Sequence, residues 1–144
     1  MKNLVVRPAR TYDLAEVAAI AGRPFAARWS QAAYEAELAR ADSIFLVCDD
    51  GGVAGYAVAR LVSDQAQLLD IAAARDGEGA GRALWGALIA AARERGAKAV
   101  TFEVSSANSR AVLFYRRAGA KVVGGRPKFY NDGSDAVLMD FLLA

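Results

Sequence analysis

Apolar and polar positions along the chain switch between two periods, and the switches mark the elements. Leu4 to Val6 is a short apolar run suited to a first strand. Leu14, Val17, Ala18 and Ile20 recur at helical spacing, which predicts a helix capped by Thr11 or Asp13 and ending near Ala21. The segment GRPFAARWS interrupts it. Ser30 suits the N-cap of a second helix over Gln31 to Arg40, with Ala33, Tyr34 and Leu38 recurring along it. Three strand-like runs follow: Ser43 to Cys48, Val53 to Val62, and Gln65 to Ala73. The first two are joined by Asp-Asp-Gly-Gly, a hairpin signal because Asp-Gly and Gly-Gly tolerate positive φ. The middle of the chain therefore reads as an antiparallel meander.

After the glycines of the stretch RDGEGAGRAL, Arg75 to Leu84, the residues Ala83, Leu84, Leu88, Ile89, Ala91 and Ala92 make an apolar helical face, and Gly96 suits its left-handed cap. Ala99 to Val104 is then a strand, and Ser109 to Arg117 a helix stopped by Gly119. The final runs, Lys121 to Val123 and Ala136 to Leu143, are strands separated by the irregular GGRPKFYNDGSD. The order is β-α-α-β-β-β-α-β-α-β-β: an α/β chain with a mixed sheet flanked by helices, expected to form one domain over residues 1–144. The strand from Gln65, the glycine turn, the helix and the strand from Ala99 form a crossover unit, which requires parallel strands. The turn then lies at the carboxyl end of a parallel strand, where such folds place their ligands.

Composition narrows the chemistry. The chain has 144 residues, of which 55% are hydrophobic, but it contains no run long enough to cross a membrane and no secretory signal, so a cytoplasmic protein without a membrane partner is expected. The single cysteine, Cys48, allows no disulfide framework and reads as a core residue. The absence of histidine removes the Ser-His-Asp and Cys-His systems and every histidine-based metal site; no metal is expected. Any acid or base is Asp, Glu, Tyr, Lys or Cys. The net charge of +2 comes without a basic run, so nucleic acid is not an expected partner.

Gly77, Gly79 and Gly81 precede a helix whose first turn has unpaired N–H groups and a positive dipole end, and bare backbone there admits a diphosphate. Arg82 adds a charged donor. The same glycines also suit a tight strand-to-helix turn with no ligand. A P-loop is excluded because Gly81-Arg82-Ala83 stands where Gly-Lys-Ser/Thr is required. A dinucleotide fingerprint needs glycines at the first, third and sixth positions, and the sixth here is Arg82 or Leu84.

The stretch LLDIAAARDGEGAGRALWGALIAAARERGAKAVTFEVSSANSRAVLFYRRAGA resembles the core of the GNAT acyl-CoA-dependent N-acetyltransferases, most closely those that modify ribosomal-protein alanines. The glycine turn, Phe102-Glu103-Val104, Asn108, Tyr115 and Gly119-Ala120 carry the likeness; RWS and KFYNDGSDAVLM extend it more weakly over most of the chain. The resemblance implies a mostly antiparallel sheet with a splayed parallel strand pair at its centre and acetyl-CoA as co-substrate. It places the diphosphate on the N–H groups of Gly77, Glu78, Gly79, Ala80, Gly81 and Arg82, with Asn108 nearby, and the pantetheine arm along the backbone of Ile71, Ala72 and Ala73. Glu103 becomes the candidate general base, acting through a water, and Tyr115 the candidate acid for the departing thiolate. Trp29, Phe129 and Tyr130 flank the acceptor side, where a protein N-terminal amine or a small amine would bind.

The chain departs from the pattern it resembles in three places. Asp76 replaces the usual Gln or Arg, the turn is shortened, and Gly119-Ala120 replaces Gly-Phe. Asp76 and Glu78 would repel a diphosphate if they faced it, so they are expected to point to solvent. A monomer or homodimer is expected. A non-catalytic acyl-CoA-binding module and a dinucleotide-binding protein remain as alternatives at this stage.

Overall fold

The computed structural model describes residues 3–143. Its strands are β1 (Val5–Pro8), β2 (Ser43–Asp49), β3 (Val53–Val62), β4 (Gln65–Ala73), β5 (Ala99–Ser105), β6 (Lys121–Arg126) and β7 (Ala136–Leu142). The helices are α1 (Leu14–Ile20), α2 (Gln31–Leu38), α3 (Ala80–Glu94) and α4 (Ser109–Ala118). All seven strands form one sheet in the order β1-β2-β3-β4-β5-β7-β6. Every pairing is antiparallel except β4 with β5.

The central strands are apolar on both faces because helices cover both. Ile44, Leu46 and Cys48 of β2, with Ala57 and Ala59 of β3, pack beneath Leu84, Leu88 and Ala92 of α3. Their sequence neighbours Phe45, Val47, Tyr56 and Val58 face α1 and α2, meeting Leu14, Val17 and Tyr34. α3 and α4 share the first side, where Trp85, Phe102, Tyr115 and Phe141 form a cluster of edge-on rings.

Three boundaries differ from the sequence pattern. β1 runs on through Pro8, which an edge strand tolerates because one side of its ladder needs no donor. β6 continues past Val123 across Gly124 and Gly125, since a bulge near Val122 keeps both paired with β7. Asp13 closes a 3-10 turn (Thr11–Asp13) and does not cap α1 with its side chain. Instead its carboxylate accepts the Arg10 N–H at 2.8 Å and the Arg7 guanidinium at 2.8 and 2.9 Å.

That bidentate pair ties the start of α1 to β1, with the Asp13 side chain only 3% exposed. The Arg7 guanidinium holds the Asp13 carboxyl below its ordinary value of 3.8. A lowered folded pKa stabilises the fold above the unfolded value, and that contribution is lost as pH falls through the folded one. Asp13→Ala is expected to cost about 3 kcal/mol at neutral pH. In urea titrations repeated at several pH values, the variant should also lack the part of the acid-side fall that Asp13 contributes.

Candidate active site

Parallel pairing between β4 and β5 covers three positions, Gln65↔Ala99 to Gln67↔Thr101, and then stops. Beyond it the strands splay. Two features of β4 determine what faces the gap. Val58 pairs with Asp70 but Ala59 with Leu68, so Leu69 is the extra residue of a bulge, and the side-chain alternation reverses there. The N–H of Ala74 bonds to the Ala54 carbonyl on β3 at 2.8 Å, so alternation turns the N–H and C=O groups of Ile71 and Ala73 the other way, into the gap.

Ala72 is the exception to the expected Ile71–Ala73 segment. Its carbonyl oxygen lies against β3, 2.8 Å from where a Cβ on Gly55 would stand, so its backbone does not serve the gap. The carbonyl of Ala73 is in turn bonded by the Arg23 guanidinium.

A cavity of about 670 Å³ runs from this gap to the start of α3. The three glycines there have separable roles. Gly77 and Gly79 have φ of 77° and 91°, which a side chain rarely adopts, so the turn itself requires them. Gly81 has ordinary helical geometry and nothing within 4 Å of its Cβ position, so its bare backbone leaves room on the cavity side. The first bond of α3 runs from Ala83 N–H to Gly79 O, leaving the N–H groups of Ala80, Gly81 and Arg82 without helical partners.

Four arginines line this cavity: Arg23, Arg75, Arg82 and Arg110. Only Arg82 stood out in sequence; Arg75 opens the same stretch, and Arg23 and Arg110 come from separate segments. Asp76 also lines it, against expectation, but lies 3.5 Å from the Arg23 guanidinium, which offsets its charge. Glu78, expected to offer its N–H, is not among the lining residues; its side chain turns toward Arg75 at 3.9 Å. The cationic excess and the orphan amides fit a diphosphate.

A second cavity of about 540 Å³ opens on the other side of the gap and shares Ile71, Asn108 and Tyr115 with the first. Its charged lining residues are Asp70, Glu103 and Asp132; no lysine or arginine lines it. Glu103 lies on the opposite face of β5 from the buried Phe102 and Val104, half-exposed, with Arg126 3.5 Å away. Tyr115 reaches the gap from α4, its ring 4.4 Å from that of Phe102. Burial raises its pKa, so the hydroxyl stays protonated at neutral pH. Asn108 caps α4 by accepting the Ala111 N–H at 3.3 Å, and lines both cavities.

Of the three aromatics expected on the acceptor side, Tyr130 alone lines the second cavity. Burial and the nearby charges of Glu103 and Asp132 raise its pKa. Trp29 packs on Tyr34, 5.3 Å between rings, and covers the core. Phe129 is 47% exposed and stacks under Arg126. Phe25 takes the place expected of Trp29: it lines both cavities, held at φ 68°. Asp70 was also unforeseen. It is 5% exposed and accepts the hydroxyls of Tyr34 and Tyr56 at 2.6 and 2.8 Å and the Ala27 N–H at 3.1 Å.

A split sheet with a cationic cavity at a helix N-terminus on one side, and a carboxylate and a phenol on the other, describes an α/β transferase for a phosphate-bearing donor. The chain belongs to the acetyltransferase (GNAT) family, whose model matches residues 10–120. It is thus an enzyme of the N-acetyltransferase type. The ribosomal protein bS18-alanine N-acetyltransferase of Escherichia coli (strain K12) is 31% identical over 134 residues, 90% of each chain. The crystal structure of the ribosomal-protein-S18-alanine N-acetyltransferase from Escherichia coli superposes with a TM-score of 0.84 at 26% identity, covering 99% of this chain and 95% of that one. Ard1 from Thermoplasma volcanium gives 0.89 at 26% identity, covering 98% of both.

The glycine assignments predict opposite effects of one substitution. Gly79→Ala places a Cβ at a left-handed position and should destabilise the fold by about 1–2 kcal/mol. Gly81→Ala replaces a helical glycine in open space and should stabilise the free protein by about 0.5–1 kcal/mol. Urea unfolding without ligand reads both.

Proposed function

We propose that the chain transfers the acetyl group of acetyl-CoA to a primary amine, specifically a protein N-terminal amine, by direct attack while both substrates are bound in the cytoplasm. The observation that carries this reading is that Tyr115 lines both cavities while Glu103 lines the acidic one. The acceptor class follows the activity named for the Escherichia coli relative.

The arginines and the free amides of Ala80 to Arg82 would hold the diphosphate of coenzyme A. The gap-facing groups of Ile71, and the Ala73 N–H, would bond the amides of its arm as a neighbouring strand does. Acetyl-CoA supplies the thioester; the chain's own residues handle protons and charge. An alkylammonium entering the acidic cavity must lose a proton before its nitrogen can attack. Glu103 takes that proton through a water, and Tyr115, protonated by virtue of its burial, delivers one to the departing thiolate. Gap-facing N–H groups of β4 stabilise negative charge developing on the carbonyl oxygen. No covalent bond to the protein forms.

The test is thiol release from acetyl-CoA with peptides beginning Ala, Ser or Met, set against a panel of small amines. Turnover is expected with at least one peptide, and Glu103→Gln and Tyr115→Phe should each lower kcat by about 10²- to 10⁴-fold. Unchanged thiol release in both variants would leave a protein that binds acyl-CoA without this chemistry. Neutralising Asp76 and Glu78 together should change the KM for acetyl-CoA only modestly, since Arg23 already offsets Asp76.

A further inference from the structure

The segment between α1 and α2 is fastened to β4 at two points. Arg23 donates to the carbonyl of Ala73, and the N–H of Ala27 donates to Asp70 Oδ1 at 3.1 Å. Between the two fastenings stands Phe25 at φ 68°, and just beyond them Arg28 at φ 60°. Left-handed backbone at residues other than glycine persists only where the surroundings fix it. Phe25 is 55% exposed, so no core contact fixes it, yet with Ala26 it forms wall shared by the two cavities.

Asp70 is placed to do the fixing. The bulge at Leu69 turns its side chain toward α2, where the hydroxyls of Tyr34 and Tyr56, both fully buried, hold Oδ2. The hydroxyls lie 3.0 Å from each other, which closes a triangle of oxygens and sets the carboxylate's orientation. Oδ1 is thereby presented to the loop. A core needing only apolar packing gains little from a carboxylate at this depth, because burial without partners is costly.

We propose that Asp70 is a positioning residue for the acceptor: through the Ala27 amide it holds Phe25 where the two cavities meet, and the Phe25 ring seats the first residue of the incoming peptide. The inference rests on the assignment of the acidic cavity to the acceptor. Asp70 also lines the acidic cavity, but in this role it acts through the loop.

Two measurements test it on the full chain, with Asp70→Leu and, should that variant unfold, Asp70→Ala, neither of which offers the Ala27 N–H an acceptor. Amide hydrogen exchange on the free protein should show the Ala27 N–H exchanging at least about tenfold faster, while β2 and β3 stay protected. With the best peptide acceptor, its KM should rise at least about tenfold, with kcat and the KM for acetyl-CoA within about threefold of wild type. Phe25→Ala should reproduce the rise in acceptor KM, and the double variant should add little to either single change. Unchanged exchange at Ala27 overturns the proposal, as does a fall in kcat at constant acceptor KM or full additivity with Phe25→Ala. If no amine is acetylated, the functional reading fails and the acceptor role of Asp70 fails with it, whatever hydrogen exchange shows. If transfer proceeds but these variants behave otherwise, only the role of Asp70 fails.

Discussion

The pairing of β4 with β5 ends after three residues, and the rest of the site follows from that ending. A strand inside a sheet normally satisfies its backbone on both sides, and leaving polar groups unpaired is costly unless something else bonds them. Here the carboxyl half of β4 is held on one side by β3 and left open on the other. On the open side the Arg23 guanidinium bonds the Ala73 carbonyl, and Ile71 and Ala73 line the cavity. Because a parallel connection must cross the sheet through a helix, the same splay also brings the N-terminus of α3 to the end of the gap.

The charges divide along this gap. Arginines from three separate stretches line one cavity, while the charged groups lining the other are carboxyls, with Arg126 3.5 Å from Glu103. In the proposed reaction such a division would draw a polyphosphate and an ammonium to opposite ends of one channel. In the proposed reaction a chain without histidine would rely on a half-exposed carboxylate and on a phenol that burial keeps protonated. On this arrangement the shortened, acidic turn is tolerable. Glu78 lies off the cavity, and Asp76 stands 3.5 Å from Arg23, which offsets its charge.

Local patterns carried most of the architecture. Element order, the meander and the crossover unit were legible because the periodicities are strong and turn chemistry separates them, as in Asp-Asp-Gly-Gly and the glycine turn. Glu103, Tyr115 and the cradle around Gly81 stand out in the sequence as one constellation, and the fold brings them to two cavities that share Tyr115. What escaped was tertiary. Strict alternation along β4 puts Asp70 on the same face as Leu68, toward α3; only the bulge, which depends on β3, sends it to Tyr34. Arg23, Arg75 and Arg110 look like scattered surface charges until the fold gathers them. In GRPFAARWS the larger aromatic, Trp29, drew the expectation, but hydrophobic area favours covering the core, and the strained Phe25 was left at the cavity.

The two tryptophans of the chain occupy different halves of this arrangement. Trp85 touches the ring of Tyr115, 5.3 Å between centroids, on the side of α3 and α4. Trp29 rests on Tyr34, one hydrogen bond from Asp70, on the side of the α1–α2 segment. Indole emission responds to local polarity, so single-tryptophan versions of the protein carry built-in optical probes, one for each side. Stopped-flow fluorescence can then time the arrival of donor and acceptor separately, and establish their binding order without any added label.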